Sequence, residues 1–132
     1  MTSGMADDKP IIAIATGDPA GIGPEISMKA ALAAGVRALC RPILVGDPGV
    51  LARHGQACGI GADIQVVERM SDAGMTNGKL ALFTCPTSES FAFREASAAS
   101  GRASLASARA AIRAALSGEA DAVVAAPQNQ TS

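Results

Sequence analysis

Residues 11–25 read IIAIATGDPAGIGPE, and this stretch decides the fold. The apolar run Ile11–Ala15 is typical of a strand that is covered on both faces of a parallel sheet. Gly21 and Gly23 permit backbone conformations closed to other residues, and Pro24 suits the first position of a helix, where its missing N–H costs no hydrogen bond. The stretch therefore predicts a strand, a tight turn with outward-facing amide groups and a helix. This is where α/β proteins place their ligands.

The rest of the chain alternates between patterns typical of strands and patterns typical of helices. Such alternation predicts an α/β fold with a mainly parallel sheet and helices on both faces. Residues 1–9 are predicted to be a mobile leader, and residues 122–126 a strand of the buried type. The predicted strands are 11–15, 42–45, 64–67, 80–84 and 122–126, the predicted helices are 24–34, 48–55 and 101–116, and residues 71–78 are predicted to form a loop.

Apolar periodicity assigns a core-facing side to two of these helices. Gly35 is predicted to end the first helix, and Gly118 the last one. The predicted core positions are Ile22, Ile26, Ala30 and Ala33 in the first helix and Leu105, Ala108, Ile112 and Leu116 in the last.

Composition bounds the class of protein. The chain has 132 residues, 48% of them hydrophobic, and a formal net charge of −1, which fits one modest domain and gives no basic surplus for nucleic acid. Three Phe residues, with no Trp or Tyr, leave almost nothing to stack on bases. The first ten residues are polar and no apolar run approaches membrane-spanning length, so a cytoplasmic protein without membrane contact is predicted.

The cysteines and the single histidine do not form a recognisable site. Cys40, Cys58 and Cys85 are odd in number and far apart, so reduced and at least partly buried thiols are predicted, with redox or nucleophilic use as the alternative. One imidazole without partners makes no metal site, and His54 is predicted to have a surface or structural role.

The glycine-rich turn admits two interpretations. Its spacing is neither the G-x-G-x-x-G of dinucleotide-binding domains nor a P-loop, which needs Lys followed by Ser or Thr. A helix that begins here still offers free N–H groups and a partial positive charge to a phosphate, a carboxylate or the ribose edge of a cofactor. Alternatively, the two glycines serve only the sterics of a sharp strand-to-helix connection.

Residues 12–25, IAIATGDPAGIGPE, resemble the opening of the 4-hydroxythreonine-4-phosphate dehydrogenase family. Later stretches follow in the order that this family uses: PILVGD at 42–47, GRAS at 101–104 and ADAVVAAP at 120–127. The resemblance implies a fold of the isocitrate and isopropylmalate dehydrogenase type, incomplete in this chain, because a usual member is well over twice as long. Residues 10–132 are then the N-terminal part of an α/β dehydrogenase domain.

The resemblance also implies a reaction. Family members are homodimers that oxidise a secondary alcohol on a phosphorylated four-carbon acid, pass hydride to NAD or NADP, hold the hydroxyl with a divalent metal, and release carbon dioxide from the keto acid. Gly17, Asp18, Gly21, Gly23 and Glu25 are then expected to line one wall of a cofactor or substrate cleft. The metal-binding histidines and the substrate-binding His-Thr pair of the family fall downstream of this chain, so no catalytic residue and no metal ligand is predicted within it.

One departure from the family pattern lies near the end of the sequence. Asn129 and Gln130 are expected near the substrate, and Gln130 stands where the biosynthetic enzymes carry lysine. Loss of that cation suggests a branch that acts on another acid, such as a phosphorylated sugar acid, unless the position is tolerant. The chain alone is predicted to be inactive and to expose apolar surface and open strand edges. The alternative is a non-catalytic α/β module for ligand binding or association.

Overall fold

A computed structural model describes residues 9–17, 21–60, 63–74, 79–84 and 98–126. Five strands form one parallel sheet in the order β3-β4-β2-β1-β5. A short 3-10 helix, Met70–Gly74, lies between β3 and β4 in the chain. The strands are β1 Ile11–Ala15, β2 Arg41–Gly46, β3 Ile64–Val67, β4 Leu80–Thr84 and β5 Ala122–Ala125, and the helices are α1 Gly23–Leu32, α2 Ala34–Leu39, α3 Pro48–Ala57 and α4 Ala98–Leu116.

The predicted strands are confirmed. β1, β3 and β4 have the predicted bounds, β2 extends one residue further at each end, and β5 ends one residue earlier. The prediction of a loop at 71–78 is partly wrong, because residues up to Gly74 belong to the 3-10 helix. Met70 begins that helix and is fully buried, which fixes the segment against the sheet.

Both faces of the sheet are covered, as predicted. On what we call the first face, Met28 of α1 and Leu51 of α3 pack with alternate strand residues such as Leu44 and Leu82. On the second face, Ala111 of α4 and the 3-10 helix pack with the other alternate set, which includes Ala13, Ile43 and Val45. Strand residues alternate between the two clusters because successive side chains of a strand point to opposite faces.

The first predicted helix is interrupted. Ala33 adopts an extended conformation with ψ 128°, so α1 ends at Leu32 and α2 begins at Ala34. Gly35 lies inside α2 and does not end a helix, which corrects the prediction. The guanidinium of Arg37 donates to the Ala31 carbonyl at 2.8 Å, and thereby satisfies an acceptor at the end of α1. The two residues are six apart in the sequence, a spacing that belongs to no helix or strand pattern.

The predicted core sides of α1 and of the last helix are wrong. Ile22, Ile26, Ala30 and Ala33 are all exposed. In α4, Leu105 and Leu116 are 56% and 83% exposed, Ile112 is also exposed, and Ala108 is only half-buried. Apart from Met28, mostly small residues face the sheet instead, since they allow a helix to approach it closely. The buried positions are Gly23, Pro24, Ser27, Met28 and Ala31 in α1 and Ser104, Ser107, Ala111 and Ala114 in the described part of α4.

β5 is an exposed edge strand rather than the buried strand that its composition predicts. It pairs with β1 on one side, and no further strand of the described residues pairs with its other side. Val124 is 53% exposed, and only Val123 is half-buried among the strand's residues. Apolar surface and an open strand edge therefore occur together, as predicted.

The predicted mobile leader, residues 1–9, stays a prediction. Residues 1–8 lie outside the described residues, but Lys9, which was assigned to the leader, makes two hydrogen bonds. Its ammonium donates to the Arg37 carbonyl, and its own carbonyl accepts from the guanidinium of Arg41. Within the described ranges, no helix is both long enough and apolar enough to cross a bilayer.

Candidate functional site

The carboxyl ends of the strands meet at one edge of the sheet because all of the strands are parallel. Gly46 ends β2, Thr16 follows β1 and Ala126 follows β5, and these three strands are neighbours. The helices α1 and α3 both begin at this edge. The candidate site therefore lies at the carboxyl edge, which is where open α/β sheets bind their ligands.

Strand order identifies a crevice at this edge. α1 follows β1 and α3 follows β2, and both lie on the first face; the 3-10 helix follows β3 and α4 follows β4, and both lie on the second face. The helices that follow the adjacent strands β2 and β4 therefore lie on opposite faces of the sheet. These two strands pair Gly46 with Thr84. This is a topological switch point, the usual place of a ligand crevice. Sequence analysis missed Gly46 and Thr84 because strand order is not visible in the sequence.

Gly17 begins the turn after β1. Its φ of 79° lies in the left-handed region, which glycine adopts without the steric cost that a Cβ would bring. The residue is buried, and its conformation requires glycine. Its expected place in the wall of a cofactor or substrate cleft stays a prediction.

The amino termini of α1 and α3 differ in how they are capped. Asp47 caps α3, where its carboxylate accepts hydrogen bonds from the amides of Gly49 at 2.7 Å and Val50 at 3.1 Å. The N-cap of α1 is Ile22, and no side chain makes a cap hydrogen bond there. A carboxylate already compensates the partial positive charge at the cap of α3, whereas α1 carries its acidic residue, Glu25, in its first turn. Of these two helix starts in the described residues, α1 is the one without a side-chain cap.

Glu25 lies in the first turn of α1 and forms an ion pair with Lys29 at 2.7 Å. The hydrogen bond to Glu25 and the charge of that carboxylate raise the pKa of Lys29, which is exposed. Solvent and salt screen an i, i+4 pair on an exposed helix surface, so it contributes little to stability. Glu25 thus stands beside the turn with its charge partly compensated.

The structure brings together four of the predicted wall residues. Gly17 leads into the turn, Gly21 and Gly23 lead out of it, and Glu25 stands on the first turn of α1. Asp18, Asn129 and Gln130 fall outside the described residues, and their predicted roles stay predictions.

The other candidate side chains are placed as follows. His54 is buried on α3, so the surface alternative for it is wrong and the structural one agrees with its position. Cys40 and Cys58 are reduced cysteines of intermediate burial, and Cys85 lies outside the described residues. Burial raises the pKa of the Cys40 thiol, which makes it a poorer nucleophile. In the described part of the chain, no group of three or more His, Cys, Asp or Glu side chains is arranged to hold a metal ion.

Comparison with known proteins identifies the family. The family described as pyridoxal phosphate biosynthetic protein PdxA matches residues 38–132, well over half of the chain. The chain belongs to the PdxA family. A curated relative from Symbiobacterium thermophilum, provisionally named D-threonate 4-phosphate dehydrogenase, is 35% identical over 126 residues, which are 94% of this chain and 38% of that protein. The resemblance drawn from residues 12–25 is confirmed at the level of the family.

Solved structures of PdxA-like dehydrogenases share the fold. A 4-hydroxythreonine-4-phosphate dehydrogenase from Burkholderia phymatum superposes with a TM-score of 0.81 at 32% identity, covering 93% of this chain and 38% of that one. A terephthalate 1,2-cis-dihydrodiol dehydrogenase from Burkholderia xenovorans LB400 superposes with a TM-score of 0.71 at 35% identity, covering 93% and 35%. The chain thus spans less than two fifths of the length of these relatives, which correspond to it in their N-terminal part.

Proposed function

We propose that this chain supplies the N-terminal part of a cytoplasmic, homodimeric, metal-dependent NAD(P) dehydrogenase. Its substrate is a phosphorylated four-carbon hydroxy acid, either 4-phosphohydroxy-L-threonine or a related sugar-acid phosphate such as D-threonate 4-phosphate. The keto acid formed then loses carbon dioxide. Membership of the PdxA family and the names of the relatives support a dehydrogenase of a phosphorylated hydroxy acid. A similar structure is named for a different substrate, a terephthalate dihydrodiol, so the substrate has to be tested directly.

The observation that carries the proposal is the start of α1 at the carboxyl edge. Ile22 provides no side-chain cap, Gly17 turns the chain at positive φ, and the switch point lies one strand away, between β2 and β4. These features fit an anionic group of a nicotinamide dinucleotide, which supplies the hydride acceptor when it is bound. The chain's own part is to hold and orient that anion with the amides at the start of α1.

The described residues contain no cluster of three or more side chains that could bind the proposed metal. We therefore assign no metal-dependent step to them. Asn129 and Gln130 are proposed to lie near the substrate, where the neutral amide of Gln130 offers hydrogen bonds without the charge of a lysine.

The full-length gene product is expected to reduce NAD or NADP in the presence of D-threonate 4-phosphate or 4-phosphohydroxy-L-threonine. The absorbance of the reduced nicotinamide measures the reaction. Treatment with a chelator should abolish the activity and a divalent metal should restore it. The isolated 132-residue chain is expected to show none. Turnover by the isolated chain, or a full-length product active only on unphosphorylated diols, would contradict the proposal.

The alternative is a non-catalytic α/β module for ligand binding or association, and the state of the isolated chain in solution distinguishes it from part of a larger enzyme. We predict that the isolated 132-residue chain associates in solution, because Leu116 and Val124 are exposed and, among the described residues, no strand pairs with the outer edge of β5. Light scattering coupled to size exclusion checks this, with Leu116→Lys and Val124→Lys expected to reduce association and Leu39→Lys, on α2, as the matched control. A stop codon after Ser132 together with a stable monomer would instead favour a self-sufficient module.

A further inference from the structure

Thr16 lies at the junction of three elements at the carboxyl edge. It follows β1 directly, is 4% exposed, and contacts β2 through the carbonyl of Val45. That carbonyl accepts two hydrogen bonds from Thr16, one from its backbone N–H at 3.2 Å and one from its hydroxyl at 3.2 Å. The second bond ties the side chain to the end of β2, which backbone pairing alone does not do.

Glycines of two other elements pack against Thr16. A Cβ built on Gly46, at the end of β2, would lie 2.5 Å from the Thr16 hydroxyl oxygen and 3.3 Å from its methyl group. A Cβ built on Gly23, at the start of α1, would lie 2.2 Å from the Thr16 carbonyl oxygen and 3.2 Å from the Cβ of Ala126. Real Cβ atoms do not approach other atoms so closely, so both positions must be glycine if Thr16 keeps its place.

We infer that Thr16 is a positioning residue of the proposed nucleotide site, whose hydroxyl, seated over Gly46, sets the position of the turn at Gly17 and the start of α1. The ligand in this inference rests on the proposed function, whereas the geometry rests on the contact between Thr16 and Gly46. Thr16 itself touches no ligand in this account. It acts through the segment that does, because Gly17 is its direct neighbour and Gly23 packs on its carbonyl.

A cycle of variants in the full-length gene product tests the contact without any ligand. Gly46→Ala is expected to lower the melting temperature by about 5 °C or more, because the new methyl group collides with the Thr16 hydroxyl. Combined with Thr16→Ala, which removes that hydroxyl and the methyl group, the loss caused by Gly46→Ala should shrink by at least half. Gly35→Ala is the matched control, since nothing lies within 4 Å of a Cβ there. Equal losses in the two backgrounds would overturn the inference.

The kinetic constants for NAD(P) then distinguish a positioning role of Thr16 from a purely structural one. Thr16→Ala is expected to raise KM for NAD(P) about five- to tenfold per folded molecule, with a smaller change in kcat, since one anchoring hydrogen bond is lost. Thr16→Ser keeps the hydroxyl and should restore KM to within about twofold of the wild type. An unchanged KM in Thr16→Ala refutes the positioning role even where the melting temperature falls. A wild-type product that reduces neither nucleotide refutes the proposed function, and the variant cycle still decides whether Thr16 and Gly46 are coupled.

Discussion

Gly23→Ala is expected to lower the free energy of unfolding by about 3 kcal/mol and to remove dehydrogenase activity from the full-length product. The added Cβ would lie 2.2 Å from the backbone carbonyl oxygen of Thr16, an atom that cannot rotate away as the end of a flexible side chain would. Either α1 moves off the end of β1 or β1 shifts within the sheet. Both movements displace the turn that the proposed nucleotide anion contacts. Urea unfolding followed by circular dichroism measures the loss.

Gly55→Ala is the matched control for this substitution. Gly55 lies inside α3, and its added Cβ would lie 3.6 Å from the carbonyl oxygen of Ile60 and 3.9 Å from the side chain of Met28, which is ordinary contact. Alanine in a helix interior is favoured over glycine by about 0.5–1 kcal/mol, so stability should stay the same or rise. If Gly23→Ala were tolerated as well as Gly55→Ala, the close packing of α1 on Thr16 would be wrong.

The strands were largely predictable from the sequence. Short apolar runs bounded by glycine and proline, such as Ile11–Ala15 and Leu80–Thr84, give boundaries that the structure reproduces. Strand order was not predictable, because local patterns do not say which strand pairs with which. The switch point between β2 and β4, and with it Gly46 and Thr84, becomes visible only when the order is known.

The prediction of the core-facing sides of the helices was wrong for a physical reason. Periodicity assigns the largest apolar side chains to the core, but the sheet beneath α4 carries small residues such as Ala13 and Ala15, and the helix approaches it through Ala111 and Ala114. The larger side chains of Leu105 and Leu116 then remain on the outer side. A surface that is apolar on the outside of a helix is the pattern expected where further protein covers it.

Part of the candidate site was predictable and part was not. Gly23 was identified by its backbone freedom and Gly17 only by the family resemblance, and both positions require glycine: Gly17 through positive φ, Gly23 through close packing on Thr16. Thr16 was missed as a contributor because a threonine at the end of a strand has no distinctive sequence signal. Its importance comes from Val45 and Gly46, which are about thirty residues away along the chain.

Leu44→Ala is expected to lower the free energy of unfolding of the 132-residue chain by about 3 kcal/mol. Leu44 is fully buried in the central strand β2, where it packs on the first face with Met28, Leu51 and Leu82. The truncation removes apolar contacts and leaves a cavity, because the neighbouring strands β1 and β4 are held by hydrogen bonds and cannot close the gap. Urea denaturation measures the change, provided that the slope of the unfolding free energy against urea concentration is the same in both proteins.

Leu116→Ala, the control, makes the same chemical change at a position that periodicity assigns to the core. Leu116 is 83% exposed in this chain, so its truncation should change stability by less than about 0.5 kcal/mol. The difference between the two leucines therefore distinguishes the observed packing from the periodic pattern. Equal losses would mean that α4 turns its large side chains towards the sheet, and the second face would then have to be repacked around Leu105, Ile112 and Leu116 in place of Ala111 and Ala114.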